Sequence, residues 1–120
     1  MNLTKEQLAA IAEAVTRLER DLYGRGPSSV RVSSSGDNPR VVTVLSVDSL
    51  TTMDRTLAER DKVQAVVAHH QAVGEATSED FIGGIEVIVE RRPDVYLAQV
   101  DPETGYAVRV FLFAEDGDSG

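Results

Sequence analysis

Ser28-Ser29-Val30-Arg31-Val32-Ser33-Ser34-Ser35-Gly36-Asp37-Asn38-Pro39-Arg40-Val41-Val42-Thr43-Val44-Leu45-Ser46-Val47 is the stretch that decides the fold. Two runs with β-branched content, Val30 to Ser34 and Arg40 to Val47, flank Ser35-Gly36-Asp37-Asn38-Pro39, which is dense in turn formers. The pair reads as a β-hairpin. In its second strand Val41, Val42, Val44, Leu45 and Val47 are apolar on both faces. That pattern fits an inner strand covered on each side or a strand that helps to form a dimer, and it does not choose between them.

Toward the N-terminus, Thr4-Lys5-Glu6-Gln7 has the form of a capping box, with Leu3 and Leu8 placed for a hydrophobic staple. The helix that starts there carries Leu8, Ile11, Val15, Leu18 and Leu22 as one apolar stripe, and Tyr23-Gly24 ends it. Toward the C-terminus, Thr51 or Thr52 caps a short helix through about Arg60, with Leu50, Met53 and Leu57 as its buried side. From Lys62 the residues Val63, Val67, His70, Gly74, Thr77, Phe81, Ile85 and Ile88 keep three- and four-residue spacing, predicting one long helix to about Arg91. At about 1.5 Å per residue it would span roughly 45 Å. Either it protrudes toward a partner or it breaks near Gly74, where Thr77 or Ser78 can cap a second piece. Pro93 stops it, and Val95 to Val100 and Tyr106 to Phe113 flank Asp101-Pro102-Glu103-Thr104-Gly105 as a second hairpin.

The predicted fold class is therefore α+β, in the order α-β-β-α-α-β-β, with an antiparallel four-stranded sheet of two hairpins and the helices on one face. Residues 1–114 read as a single domain, and the acidic, glycine-rich residues 115–120 as a disordered tail.

Composition narrows the function. No apolar run approaches the ~20 residues of a membrane-spanning helix and the first residues do not read as a signal peptide, so a cytoplasmic chain without direct membrane insertion is expected. The absence of cysteine excludes disulfides, thiolate metal sites and cysteine nucleophiles. All of the net charge of −8 lies in residues 61–120, a field that repels phosphate backbones, so nucleic acid is not expected as a partner.

Few residues suggest chemistry. His69 and His70 are the only histidines. Adjacent helical positions point about 100° apart, so the two cannot both face one metal from the same surface, and no orienting carboxylate can be assigned. The pairs Glu75/Glu79 and Glu86/Glu90, and Asp116-Gly117-Asp118, look as much like solvated acidic surface as cation ligands. Ser28, Ser29 and Ser33-Ser34-Ser35 lack a nucleophile-elbow context. No catalytic residue, metal or cofactor is expected. The most informative string is Tyr23-Gly24-Arg25-Gly26-Pro27, where flanking glycines leave Arg25 free to grip a carboxylate or phosphate. Gly24, Arg25 and Gly26 are thus the candidate anion-binding residues, set against a plain helix cap followed by a rigid exit.

The segment Leu18 to Pro27, with that string at a helix end, resembles the opening of the MpsC family. The resemblance continues through the valine-rich Val41 to Leu45, the Leu50-Thr51 helix entry with Leu57, Phe81 to Glu86, and Val108-Arg109-Val110-Phe111-Leu112. His69-His70 and Glu90-Arg91-Arg92-Pro93 depart from the family's pattern. The resemblance implies a domain that is accessory to an ion or inorganic-carbon transport system. The resulting expectation is a non-catalytic interaction or regulatory domain, self-associating, with a membrane transport subunit as partner. The alternative is a small-anion or nucleotide sensor built on Tyr23 to Pro27, and a third reading is a metal-dependent hydrolase using His69 or His70.

Overall fold

The computed structural model describes residues 2–114. Thr4 closes the start of α1 (Lys5–Tyr23) as its sequence requires: the Gln7 backbone N–H donates to Thr4 Oγ1 at 3.0 Å and the Thr4 N–H donates to Gln7 Oε1 at 2.9 Å. Gly24 ends the helix in the left-handed region, φ 86°, where its N–H reaches the Arg20 carbonyl. Ile11, Ala14 and Val15 form the buried side. Over the last turns the expected stripe gives way, because Glu19 is buried and Leu22 faces solvent.

The strands are β1 (Ser29–Ser35), β2 (Arg40–Val47), β3 (Val95–Val100) and β4 (Ala107–Phe113). They lie in the order β1-β2-β4-β3, antiparallel throughout, so the two hairpins join through β2 and β4. Period-two alternation sends Val42, Val44 and Ser46 of β2, with Ala107, Arg109, Phe111 and Phe113 of β4, toward the helices. There they meet Ile11, Val15, Phe81 and Ile85 in one core. Each such side chain, fully buried, contributes about 1.5–3 kcal/mol.

The opposite face carries Val41, Thr43, Leu45 and Val47 beside Val108, Val110 and Leu112, with Val95 and Leu97 continuing the rows on β3. Among the described residues no helix packs on this face, and Leu97 is 57% exposed. β2 is thus an inner strand, covered on one side only.

Two helices lie between the hairpins, α2 (Thr52–Glu59) and α3 (Val63–Val89). α3 passes through Gly74 without a break and spans about 40 Å along a molecule 52 Å long. Glu90 caps it in the left-handed region, φ 61°. In α2 the buried side differs from the expected one: Met53 is 72% exposed and Asp54 is buried. Asp54, the third residue of the helix, accepts the Thr51 N–H at 3.1 Å and turns inward to meet His69 and His70 of α3, and Met53 faces solvent. The acidic tail expected at 115–120 lies outside the described residues.

Candidate functional site

The helix side of the sheet holds two buried polar knots with a groove between them. The first is built on Arg109, which stands in phase with Phe111 and Phe113 on β4 and so must point into the core. Its Nη1 donates to Glu19 Oε2 at 2.7 Å, and Ser46 and Ser49 donate to the same carboxylate at 2.6 and 2.9 Å. The Arg109 Nη2 donates to the Tyr23 hydroxyl at 2.9 Å, and the guanidinium carbon lies 3.9 Å from the centre of the Phe81 ring. Burial opposes the arginine's charge, but Glu19 and the neighbouring tyrosines outweigh it and raise the pKa above the ordinary value. Tyr96 stacks on Phe111 at 5.0 Å, and burial pushes its hydroxyl above the usual tyrosine range.

The second knot joins α2 to α3. Asp54 Oδ1 lies 2.9 Å from His69 Nδ1, and Asp54 Oδ2 lies 2.8 Å from His70 Nε2. Burial alone would raise the Asp54 pKa. The hydrogen bonds from His70, Thr51 and His69 overcome it and hold the carboxyl below its usual value. Adjacent imidazoles converge on one carboxylate because they use different arms: His69 offers its near nitrogen and His70 its far one. The expectation that they cannot face a common point is corrected by this geometry.

A groove of about 410 Å³ runs between α3 and the strands, with Arg109, Tyr23 and Tyr96 on its floor and His70, Gln71 and Ser78 on its helix wall. Its chemistry is mixed: one paired arginine, phenol rings, an imidazole and apolar strand positions.

The residues singled out from sequence lie elsewhere. Gly24 is the cap of α1, and Arg25 is not left uncovered between its glycines. Its Nη2 meets Asp48 Oδ2 at 2.9 Å and its Nη1 donates to the Leu50 carbonyl at 2.6 Å. Arg55 pairs with the same Asp48. Asp48 is able to face both because it leaves β2 in the left-handed region, φ 63°. Glu79 and Glu86 both reach Arg92, at 2.8 and 3.7 Å. Asp116 and Asp118 lie outside the described residues. Sequence reading missed Glu19, Asp54 and Arg109. A charged residue in phase with two phenylalanines of a strand was the available signal for Arg109, and a charge one turn after Val15 on an apolar stripe was the signal for Glu19.

An open α+β sheet domain of this kind, in which no helix among the described residues is long and apolar enough to cross a membrane, is the class that fold and site define. Residues 4–115 match the family described as "Na+-translocating membrane potential-generating system (MpsC)". The match spans most of the chain, and the chain belongs to the MpsC family. No curated protein and no solved structure matches it.

Proposed function

We propose that this chain is a non-catalytic interaction domain that pairs with a second copy of itself through the open face of its sheet, and that it is an accessory to the sodium-translocating system for which its family is named. The observation that carries the reading is the uncovered face itself. Val41, Leu45, Val47, Val108, Val110, Leu112, Val95 and Leu97 form adjoining rows across β2, β4 and β3. Three strands about 4.8 Å apart and six residues long at about 3.4 Å each give an apolar footprint on the order of 300 Å², bordered by Ser29, Arg31, Ser33 and Ser35 of β1. A contiguous patch of about this size is comparable to the largest patch on a typical monomer, which is often functional, unlike singly scattered apolar residues.

Charge favours a second copy as the occupant. The chain is acidic overall, yet the strand positions on this face include no carboxylate, and Arg31 is their one charged residue. Glu75, Glu79 and Asp80 sit on α3, on the far side of the sheet, so two copies meeting face to face keep them apart. Sheet-on-sheet packing of this kind buries the inner faces about 10 Å apart.

Light scattering on the purified chain tests the self-association: the reading expects the mass of two chains, and a clean single-chain mass over the working concentration range contradicts it. Affinity purification from the native cell tests the accessory role. Recovery of a membrane transport subunit supports that role, and its absence counts against it.

A further inference from the structure

The geometry points to a zinc-class divalent-metal site formed by His69 Nδ1, His70 Nε2 and a carboxylate oxygen of Asp54. The three ligand atoms already lie within 4.8 Å of one another. In a four-coordinate zinc site with bonds of about 2.0–2.2 Å, ligand atoms stand roughly 3.3 Å apart. Closing these gaps by side-chain rotation would place the three around one ion.

Three independent features support the assignment. The first is an unbalanced charge. Asp54 is buried, and among the described residues its ion-pair partners are His69 and His70, with no lysine or arginine beside it. The contrast is Glu19, the other buried carboxylate, which has Arg109. A buried carboxylate with no lysine or arginine beside it presents a negative site that a cation would neutralise. The second is composition: the chain has two histidines and no cysteine, and both histidines meet here. The third is preorganisation. The Thr51 N–H donates to Asp54 Oδ2 at 3.1 Å, the oxygen that also meets His70, and so orients the carboxylate as a supporting hydrogen bond orients a ligating one in metal sites.

The donor set selects the metal. Two imidazole nitrogens with one carboxylate oxygen suit zinc and its transition-metal neighbours, whereas magnesium and calcium favour all-oxygen sets. His69 is 47% exposed, so the fourth position opens to solvent and would be filled by water or by a donor from outside the chain. Metal binding would also clip the short α2 to α3.

The test is a titration of the untagged chain with Zn2+, with Mg2+ in a parallel arm, read by calorimetry and by melting temperature. The expected result is one Zn2+ per chain, a raised melting temperature reversed by chelator, and no response to Mg2+. His69→Ala removes a half-exposed side chain and leaves the fold intact by circular dichroism, yet weakens Zn2+ binding by about tenfold or more. Asp54→Asn does the same if it folds. No Zn2+ binding by the wild type, equal binding by folded His69→Ala, or an equal response to Mg2+ each overturns the assignment. None of these outcomes depends on whether two copies associate.

Discussion

Glu19 and Arg109 are the residues on which the interior depends most. Arg109 and the Glu19 carboxylate are buried, and two serine hydroxyls complete the carboxylate's hydrogen bonds. Removing one member strands the other's charge. Glu19→Ala is expected to cost about 3–5 kcal/mol in chemical denaturation. The paired replacement Glu19→Leu with Arg109→Met is expected to lie much nearer the wild type, because it removes both charges and keeps volume. A cost below about 1 kcal/mol for the single change would show the pair to be solvated, not buried. Tyr96 gives a pH dependence from the same region. Burial raises its folded pKa, Arg109 opposing that more weakly, so the folded state holds the proton above the unfolded value of about 10. Stability is then complete below about pH 10 and falls as pH climbs from there through the folded pKa. Denaturant midpoints measured between about pH 9 and 11 should show this decline in the wild type and a shallower one in Tyr96→Phe.

The elements were largely legible in the sequence because their signals are local. Thr4-Lys5-Glu6-Gln7 forms the capping box it spells, and both hairpins turn at the loops their glycine, proline and aspartate content marks. The long helix is continuous because Gly74 keeps helical geometry and the turns on either side carry the backbone ladder across it. What stayed hidden depends on contacts between elements. That Asp54 turns inward follows from α3 arriving with two imidazoles, and that Arg25 is held follows from Asp48 leaving β2 with a positive φ. Neither can be read along one segment. The neighbouring glycines of α3 give a prediction at this scale. A Cβ on Gly83 would meet nothing within 4 Å, whereas one on Gly84 would stand 3.3 Å from Leu18 Cδ1. Gly83→Ala is therefore expected to stabilise by about 0.5–1 kcal/mol through the lower helix cost of alanine. Gly84→Ala should gain less or lose stability, and equal gains in thermal or urea unfolding would contradict the close packing of α1 on α3.

At the scale of the whole molecule, one side of the sheet is closed by helices and the other is bare. The closed side contains the core, the Glu19–Arg109 pair and the Asp54–His69–His70 knot, while the bare side has valine and leucine in rows with one cation at its edge. That asymmetry is what the proposed interaction domain rests on. The most direct measurement is sedimentation velocity on Leu97→Glu and Val110→Glu, with Arg17→Glu on the exposed side of α1 as the control. A charge buried between two apolar sheets has no partner there and a high desolvation cost. The expected result is a dimer for the wild type and for Arg17→Glu, and folded monomers for Leu97→Glu and Val110→Glu. Dimers of unchanged strength in both face variants, or a wild type that is monomeric at every concentration, would contradict the account.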